Sequence, residues 1–253
     1  MRICCIPGDG IGPELMGQAM RVLDELGGCS LVEAHAGVAV FRERGTAIPE
    51  ETLESARSAD AILFSALTSP TEELPGYKSA VLTIRKELDL YANVRPCRAY
   101  PNTRALYDKV DLTIVRENTE GMYSGIEWVE GDAAYLKRVI TRKGSERIVR
   151  YAFEYAKKHG KEKVTVVHKA NVLRQTCGLF LRCAREVAAG YPEITMEDVI
   201  VDAMAMRLIK QPQDFEVIVT TNLFGDILSD EAAQLVGGLG MTPSMNRGER
   251  HAM

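Results

Sequence analysis

Apolar, β-branched runs alternate along the chain with segments whose apolar residues recur every three to four positions. That is the pattern of strands joined by helical crossovers in a mostly parallel sheet. Strands are predicted over 2–6, 30–36, 61–67, 111–116, 163–168 and 216–221. A helix over 13–26 opens with Pro13 in its first turn and is followed by Gly27; one over 49–58 opens the same way at Pro49. Two more fit 145–159 and 173–189, and a last one runs from about 225 to 236, stopping at Gly237-Gly238. The region 122–142 breaks the alternation. Strand-like pieces at 123–129 and 135–141 flank the turn-forming Glu130-Gly131-Asp132, which reads as a hairpin arm. An arm projecting from an α/β core leaves edges that a second chain would cover, so a subunit interface is expected there; a hairpin lying on its own domain is the alternative. Residues 237–253 offer glycines, a proline and charge but no further strand or helix, and the architecture reads as unfinished.

Composition narrows the function classes. The hydrophobic share of 46% and charged share of 26% are ordinary for a globular chain, and no run approaches the roughly 18 apolar residues of a bilayer span. A net charge of -4 without a dense Lys/Arg tract gives no general attraction for nucleic acid. The chain enters the strand-like Arg2-Ile3-Cys4-Cys5-Ile6 directly, without a signal-peptide pattern, so a cytoplasmic location is expected. The six cysteines show no CxxC pair or zinc-like spacing, and buried free thiols are expected. At 253 residues the length suits one large domain or two smaller ones.

Gly8-Asp9-Gly10-Ile11-Gly12-Pro13 follows a strand and opens a helix, as a dinucleotide loop would. Proline stands where the third glycine of GxGxxG belongs, and no acidic residue follows on a second strand in the expected place, so a tight strand-to-helix turn competes with a phosphate cradle. Arg85 and Arg95 stand ten apart around a change of element, and Arg116 follows in Ile114-Val115-Arg116-Glu117-Asn118. A guanidinium is a fixed fork that matches a carboxylate, so three at strand ends could hold a dicarboxylate; a surface salt bridge is the alternative for any one alone. Asp226 and Asp230, four apart on a predicted helix, share a face near the end of a strand. Such a pair suits a hard divalent ion such as Mg²⁺ or Mn²⁺, two exposed acids being the plainer reading. Lys169, after the strand ending in Val167-His168, could act as a base, and Tyr123 could donate a proton or simply pack. The four histidines lack metal-like spacing and read as structural or surface residues.

Six ordered segments resemble the β-decarboxylating dehydrogenases, the isocitrate/isopropylmalate/homoisocitrate dehydrogenase family. They are Ile6-Pro7-Gly8-Asp9-Gly10-Ile11-Gly12, Leu88-Asp89-Leu90-Tyr91-Ala92-Asn93-Val94-Arg95-Pro96, Val115-Arg116-Glu117-Asn118-Thr119-Glu120-Gly121-Met122-Tyr123, His168-Lys169-Ala170-Asn171, Val201-Asp202-Ala203-Met204-Ala205-Met206, and the run from Asn222 to Asp230. The resemblance implies a two-domain α/β fold like that of isopropylmalate dehydrogenase, with a mostly parallel sheet flanked by helices and a β-hairpin arm for dimerisation. The first, cofactor-side domain would comprise 1–90 and 237–253, and the second, with the arm at 122–142, would comprise 91–236. It also implies NAD or NADP and Mg²⁺ or Mn²⁺ as cofactors and a homodimer with shared active sites. Arg85, Arg95 and Arg116 would clamp the substrate carboxylates, and Asp226 and Asp230 would hold the metal with Asp202 from the partner. Lys169, also from the partner, would take the hydroxyl proton, and Tyr123 would help protonate the decarboxylated product. Asn171 would lie near the nicotinamide, and the loops 9–12, with Ile11, and 65–70 would border the cofactor cleft. Family members continue past the position of Met253 into an adenine-binding loop, so the resemblance also implies a chain truncated at its carboxyl end.

Within the family, Ser79 lies six before Arg85 as in isocitrate enzymes, but their asparagine four before the arginine is Val81 here. An apolar Val81-Leu82 suits the isopropyl group of 3-isopropylmalate, whereas a third carboxylate needs a donor. Lys78 could meet the distal carboxylate of homoisocitrate. Isopropylmalate therefore ranks first, homoisocitrate second and isocitrate third. A non-catalytic subunit or inactive fragment is the reading from another class.

Overall fold

Among the described residues the pattern of apolar runs becomes two larger sheets packed against helices, and the arm a third sheet of two strands. The computed structural model describes residues 1–68, 70–72 and 74–253. It divides into a unit of residues 1–90 with 247–253 and a second unit of residues 91–246.

In the first unit β1 (Arg2–Ile6) lies between β2 (Ser30–Glu33) and β3 (Ala61–Phe64), parallel to both. Being central, β1 is apolar on both faces. Cys4 and Ile6 pack with Leu53, Ile62, Ile84 and Leu90, while Ile3 and Cys5 pack with Met16 on the other side. The helices are α1 (Gly12–Leu26), α2 (Val38–Arg44), α3 (Glu50–Ser58) and α4 (Ala80–Glu87).

The second unit contains β4 (Ala92–Arg98), β5 (Asp111–Glu117), β6 (Glu127–Glu130), β7 (Ala133–Leu136), α5 (Arg142–Lys158), β8 (Lys163–His168), α6 (Thr176–Ala188), β9 (Thr195–Ile200), α7 (Val201–Lys210), β10 (Val217–Thr220), α8 (Asn222–Leu235) and β11 (Met245–Arg247). The main sheet runs β11-β4-β5-β10-β8-β9, with β5, β10, β8 and β9 parallel and β4 antiparallel to β5. Phe153 of α5 and Phe180 of α6 cover Val115, Val164, Val166 and Val219 on one face. Met204 and Leu208 of α7 and Leu228 of α8 cover Leu112, Ile114, Val167 and Ile218 on the other. The parallel strands therefore open their carboxyl ends at one edge, where α/β sheets bind ligands.

Several expectations need correction. Residues 237–253 are not featureless: a 3-10 turn spans Leu239–Met241 and β11 adds an outer strand beside β4. Residues 237–246 belong to the second unit, not the first, because Asn246 accepts hydrogen bonds from Asn93 and Asn118 and Ser244 accepts from Asn93. The arm's strands are shorter than predicted, at 127–130 and 133–136, and Tyr123 sits in a 3-10 turn over Met122–Ser124 instead of starting a strand. The strands β4 and β9 and the helices α2, α4 and α7 carry no signal that sequence reading picked up. Strand β4 interrupts its apolar run with Arg95, Pro96 and Arg98, and β9, an edge strand, tolerates Glu197 and Asp198. Five cysteines are buried and Cys29 is half-buried, all free. No helix among the described residues is long and apolar enough to cross a membrane.

Candidate active site

Three parallel connections and one antiparallel strand build the site in the second unit. Arg116 stands near the end of β5, α8 begins straight after β10, and Lys169 follows β8. The β4 register sets Asn93 opposite Arg116, with Arg95 two residues along on the same face as Asn93.

Arg116 is only 2% exposed, and each of its three guanidinium nitrogens donates a hydrogen bond. Its Nε and Nη2 donate to Asn222 Oδ1 at 2.9 and 2.7 Å, and its Nη1 donates to Asp226 Oδ1. This needs an unusually close approach between β5 and α8. A Cβ on Gly225 would stand 2.6 Å from Arg116 Cγ and 2.7 Å from its Cβ, so only glycine fits there. Burial pushes the Arg116 guanidinium below its ordinary value, and the neighbouring Asp226 works against that shift. The Tyr123 hydroxyl donates to the other Asp226 oxygen at 2.5 Å, and Arg116 lies 5.3 Å over its ring. Burial first, then the bond to Asp226, raises the Tyr123 phenol above its usual value.

One turn along α8, Asp230 Oδ1 accepts from Arg95 Nη1 at 2.9 Å, and Asn93 steadies Arg95 by accepting from its Nε at 3.0 Å. Arg95, Arg116, Asp226, Asp230 and Tyr123 thus converge, each aspartate held by its own arginine. Sequence reasoning missed Asn222, Asn93 and Gly225. The signal for Asn93 was available, since residues two apart on a strand share a face.

The other predicted pair closes on itself. Lys169 Nζ donates to Asp202 Oδ1 at 2.6 Å, and this bond holds the exposed Asp202 carboxyl below its usual range. Among the described residues, no three acidic, histidine or cysteine side chains of one chain cluster to hold a metal, so Asp202 does not join Asp226 and Asp230 within a single subunit. His168, read as structural or surface, is buried. Its Nδ1 accepts from the Ala170 amide at 3.0 Å, leaving Nε2 to donate to Asp198 at 3.1 Å.

The remaining candidates divide between the units. Asn171 is exposed just beyond Lys169 in the second. In the first, Ser79 is the residue before α4, and Val81 and Arg85, four apart on that helix, share a face. Ile11 is exposed on the turn after β1. That turn is a tight fold more than an open cradle. Gly8, at φ +75°, would put a Cβ 2.1 Å from the Ala66 carbonyl oxygen, and Asp9 spends its carboxylate on the Val38 and Ala39 amides at the start of α2. In the loop 65–70, Ser69 lies outside the described residues.

A protein-family model described as isocitrate/isopropylmalate dehydrogenase matches residues 2–253. Among curated proteins, the chain is 49% identical to homoisocitrate dehydrogenase of Methanocaldococcus jannaschii over 264 residues, covering 100% of this chain and 76% of that protein. It is also 49% identical to 3-isopropylmalate dehydrogenase of Methanothermobacter thermautotrophicus over 254 residues, covering 100% and 75%. Among solved structures, isocitrate dehydrogenase from Methylococcus capsulatus superposes with a TM-score of 0.95 at 47% identity, over 99% of this chain and 75% of that one.

Proposed function

The chain belongs to the isocitrate/isopropylmalate dehydrogenase family, and from that premise we propose that it carries out metal-dependent, NAD(P)-linked oxidative decarboxylation of a 2-hydroxy-3-carboxy acid, 3-isopropylmalate before homoisocitrate and isocitrate. One observation carries the reading: Asp226 is paired with Arg116 and Asp230 with Arg95. Two aspartates and two arginines form a neutral array. A divalent cation and a dianionic acid are together neutral too, so they can enter by exchanging partners, the metal taking the carboxylates and the acid taking the guanidinium forks. No net charge is then buried, which is the condition for assembling ions away from water.

The donors fit the cofactors. Asp226 and Asp230 offer hard oxygens suited to Mg²⁺ or Mn²⁺, with Asp202 of a second subunit as the third protein ligand. Ile11 and Asn171 offer an uncharged apolar group and an amide toward a nicotinamide cofactor. When bound, the metal supplies Lewis-acid polarisation of the oxygen on C2 and the nicotinamide supplies the electron acceptor. The protein's own work is to hold and move protons. Arg85, Arg95 and Arg116 hold the carboxylates, Lys169 of the second subunit takes the C2 hydroxyl proton, and Tyr123, a phenol that carries its proton near neutrality, returns one to C3 after carbon dioxide leaves. Val81, on the Arg85 face of α4, favours an apolar substituent over a third carboxylate, and Ser79 borders that face.

A homodimer follows from this division of labour. The arm supports it, since Trp128 and Tyr135 stack at 5.2 Å on a two-stranded sheet whose residues are nearly all exposed. Six free thiols fit a reducing cytoplasm.

The test is an assay of the purified protein with Mg²⁺ or Mn²⁺, each of the three acids, and NAD or NADP, beside sedimentation to read its oligomeric state. Reduced nicotinamide should form fastest with 3-isopropylmalate. Lys169→Met should lose turnover by about 10²–10⁴-fold, the usual worth of a positioned base, while Mn²⁺ and acid binding persist. Ordinary turnover in that variant refutes the proton-transfer role, and no product from any acid, with metal-dependent binding retained, favours a non-catalytic subunit.

A further inference from the structure

Arg138 lies on the return segment of the arm, between β7 and α5, beside Val139, whose backbone bridges Gly121. Its Nη1 donates to Cys177 Sγ at 3.5 Å, its Nη2 donates to Thr221 Oγ1 at 3.1 Å, and its guanidinium lies 5.1 Å over the Phe224 ring. Cys177 is in the first turn of α6; Thr221 is the residue that opens α8, and Phe224 is in the first turn of α8. These helices follow β8 and β10, which are neighbours in the sheet. A single side chain thus spans the gap between the two connections that carry Lys169 and Asp226.

Two features set this contact apart from ordinary packing. Thr221 occupies the N-cap position, where a hydroxyl usually accepts from an amide of the first turn, yet it makes no such bond and serves Arg138 instead. Arg138 also has no carboxylate partner among the described residues, although a cation at a helix amino terminus opposes the helix dipole. Both choices sacrifice local stability, so the contact is better explained by what it holds. On the α8 side, the next residue, Asn222, accepts two bonds from Arg116, and Asp226 follows one turn on. On the α6 side, the Cys177 amide donates to Leu173 O at 3.0 Å, and the Leu173 amide donates to Lys169 O at 2.8 Å.

We propose that Arg138 is a positioning residue that fixes the first turns of α6 and α8 against the base of the arm, and so sets the Asp226 carboxylate for metal. The inference rests on the proposed role of Asp226 as a ligand. It ties the arm to α8 at both ends, through Tyr123 on the way out and Arg138 on the way back.

The experiment measures Mn²⁺ binding by the electron paramagnetic resonance of the free ion. Amide hydrogen exchange over residues 222–228 is followed in parallel in the metal-free protein. Arg138→Met should weaken Mn²⁺ binding about tenfold, the scale on which partners behind metal ligands act, and speed exchange at the start of α8 with helical content unchanged. Arg138→Lys should recover only part, because an ammonium cannot reproduce the planar fork and the stack. Thr221→Val should give a share of the same loss, and the double variant should be no worse than Arg138→Met alone, as expected for two halves of one contact. Wild-type binding and exchange in both Arg138→Met and Thr221→Val overturn the proposal. If Arg138→Met does not fold, Thr221→Val decides alone. If the unaltered protein binds no Mn²⁺, the ligand role of Asp226 fails, and the exchange measurement still decides whether Arg138 holds α8.

Discussion

Replacing Gly225 by alanine separates the demands of the site from those of the helix that carries it. Inside a helix, Gly→Ala gains about 1 kcal/mol from propensity alone. At Gly225 the added methyl meets Arg116 Cβ at 2.7 Å and Cγ at 2.6 Å, and the Cβ is fixed to β5, so it cannot swing away. Overpacking of this kind costs about 1–3 kcal/mol, and displacing Arg116 weakens at least one charge-assisted hydrogen bond worth about 1.5–3 kcal/mol. Set against the propensity gain, the net loss is about 1.5–5 kcal/mol, which at about 3 °C per kcal/mol lowers the unfolding midpoint by about 5–15 °C. The same displacement spoils the fork proposed to meet the acid, so kcat/KM should fall by about 10–100-fold. Thermal unfolding followed by circular dichroism and steady-state kinetics check both arms. Gly17 is the control: it lies within α1 with nothing within 4 Å of its Cβ position, so Gly17→Ala should stabilise its unit by about 0.5–1 kcal/mol. If Gly225→Ala proves as stabilising as Gly17→Ala and leaves kinetics unchanged, the close approach of Arg116 to α8 is not what the site depends on.

Acid and metal should bind with mutual reinforcement, because each releases the other's partners from the Arg95–Asp230 and Arg116–Asp226 pairs; calorimetry should show each raising the other's affinity by one common factor, and independent binding contradicts the exchange argument. Burial pushes the Cys97 thiol up to about 12, while Cys29 is half-buried. Iodoacetamide at pH 8 should therefore label Cys29 well before Cys97 in the folded protein, and equal rates by peptide mass spectrometry would contradict that. Burial alone would raise the Asp198 carboxyl, but the bonds from His168 and Arg185 outweigh it and hold it below its usual value. A depressed carboxylate contributes its stability above the ordinary value of about 3.9 and loses it as pH falls through the folded value, so the stability gap between wild type and Asp198→Asn should shrink as pH falls below about pH 4. A gap that widens with acidification would show that the carboxylate is not held by those bonds.

The fold was legible where burial is two-sided and the period unbroken. Ile3-Cys4-Cys5-Ile6 and Val164–Val167 announce central strands because both faces meet apolar helices. Strand β4 was hidden because Asn93 and Arg95 interrupt its apolar pattern, and Pro96 sits where a central strand rarely accepts one. Helix α7 was hidden by its start, because β9 runs into it without a capping side chain. The segment 237–246 looked featureless because its contribution is polar: Asn246 accepts from Asn93 and Asn118, an arrangement that exists only once β4 and β5 are paired.

The charged residues of the site were legible one at a time, but the sequence carries no term for which charge answers which. Asp226 and Asp230 read from the sequence as a metal pair ahead of a solvated face, and the structure adds that Arg116 and Arg95 hold one each. A solvated face has no reason to draw a 2% exposed guanidinium toward it at the expense of every residue but glycine at position 225. Burying that cation is costly unless its partners are fixed, and Asn222 supplies the fixing by taking two of its donors. The amide therefore does what a further aspartate would undo: it satisfies the hydrogen bonds without adding a negative charge, and leaves the array neutral, as the proposed joint entry of a cation and an anion requires.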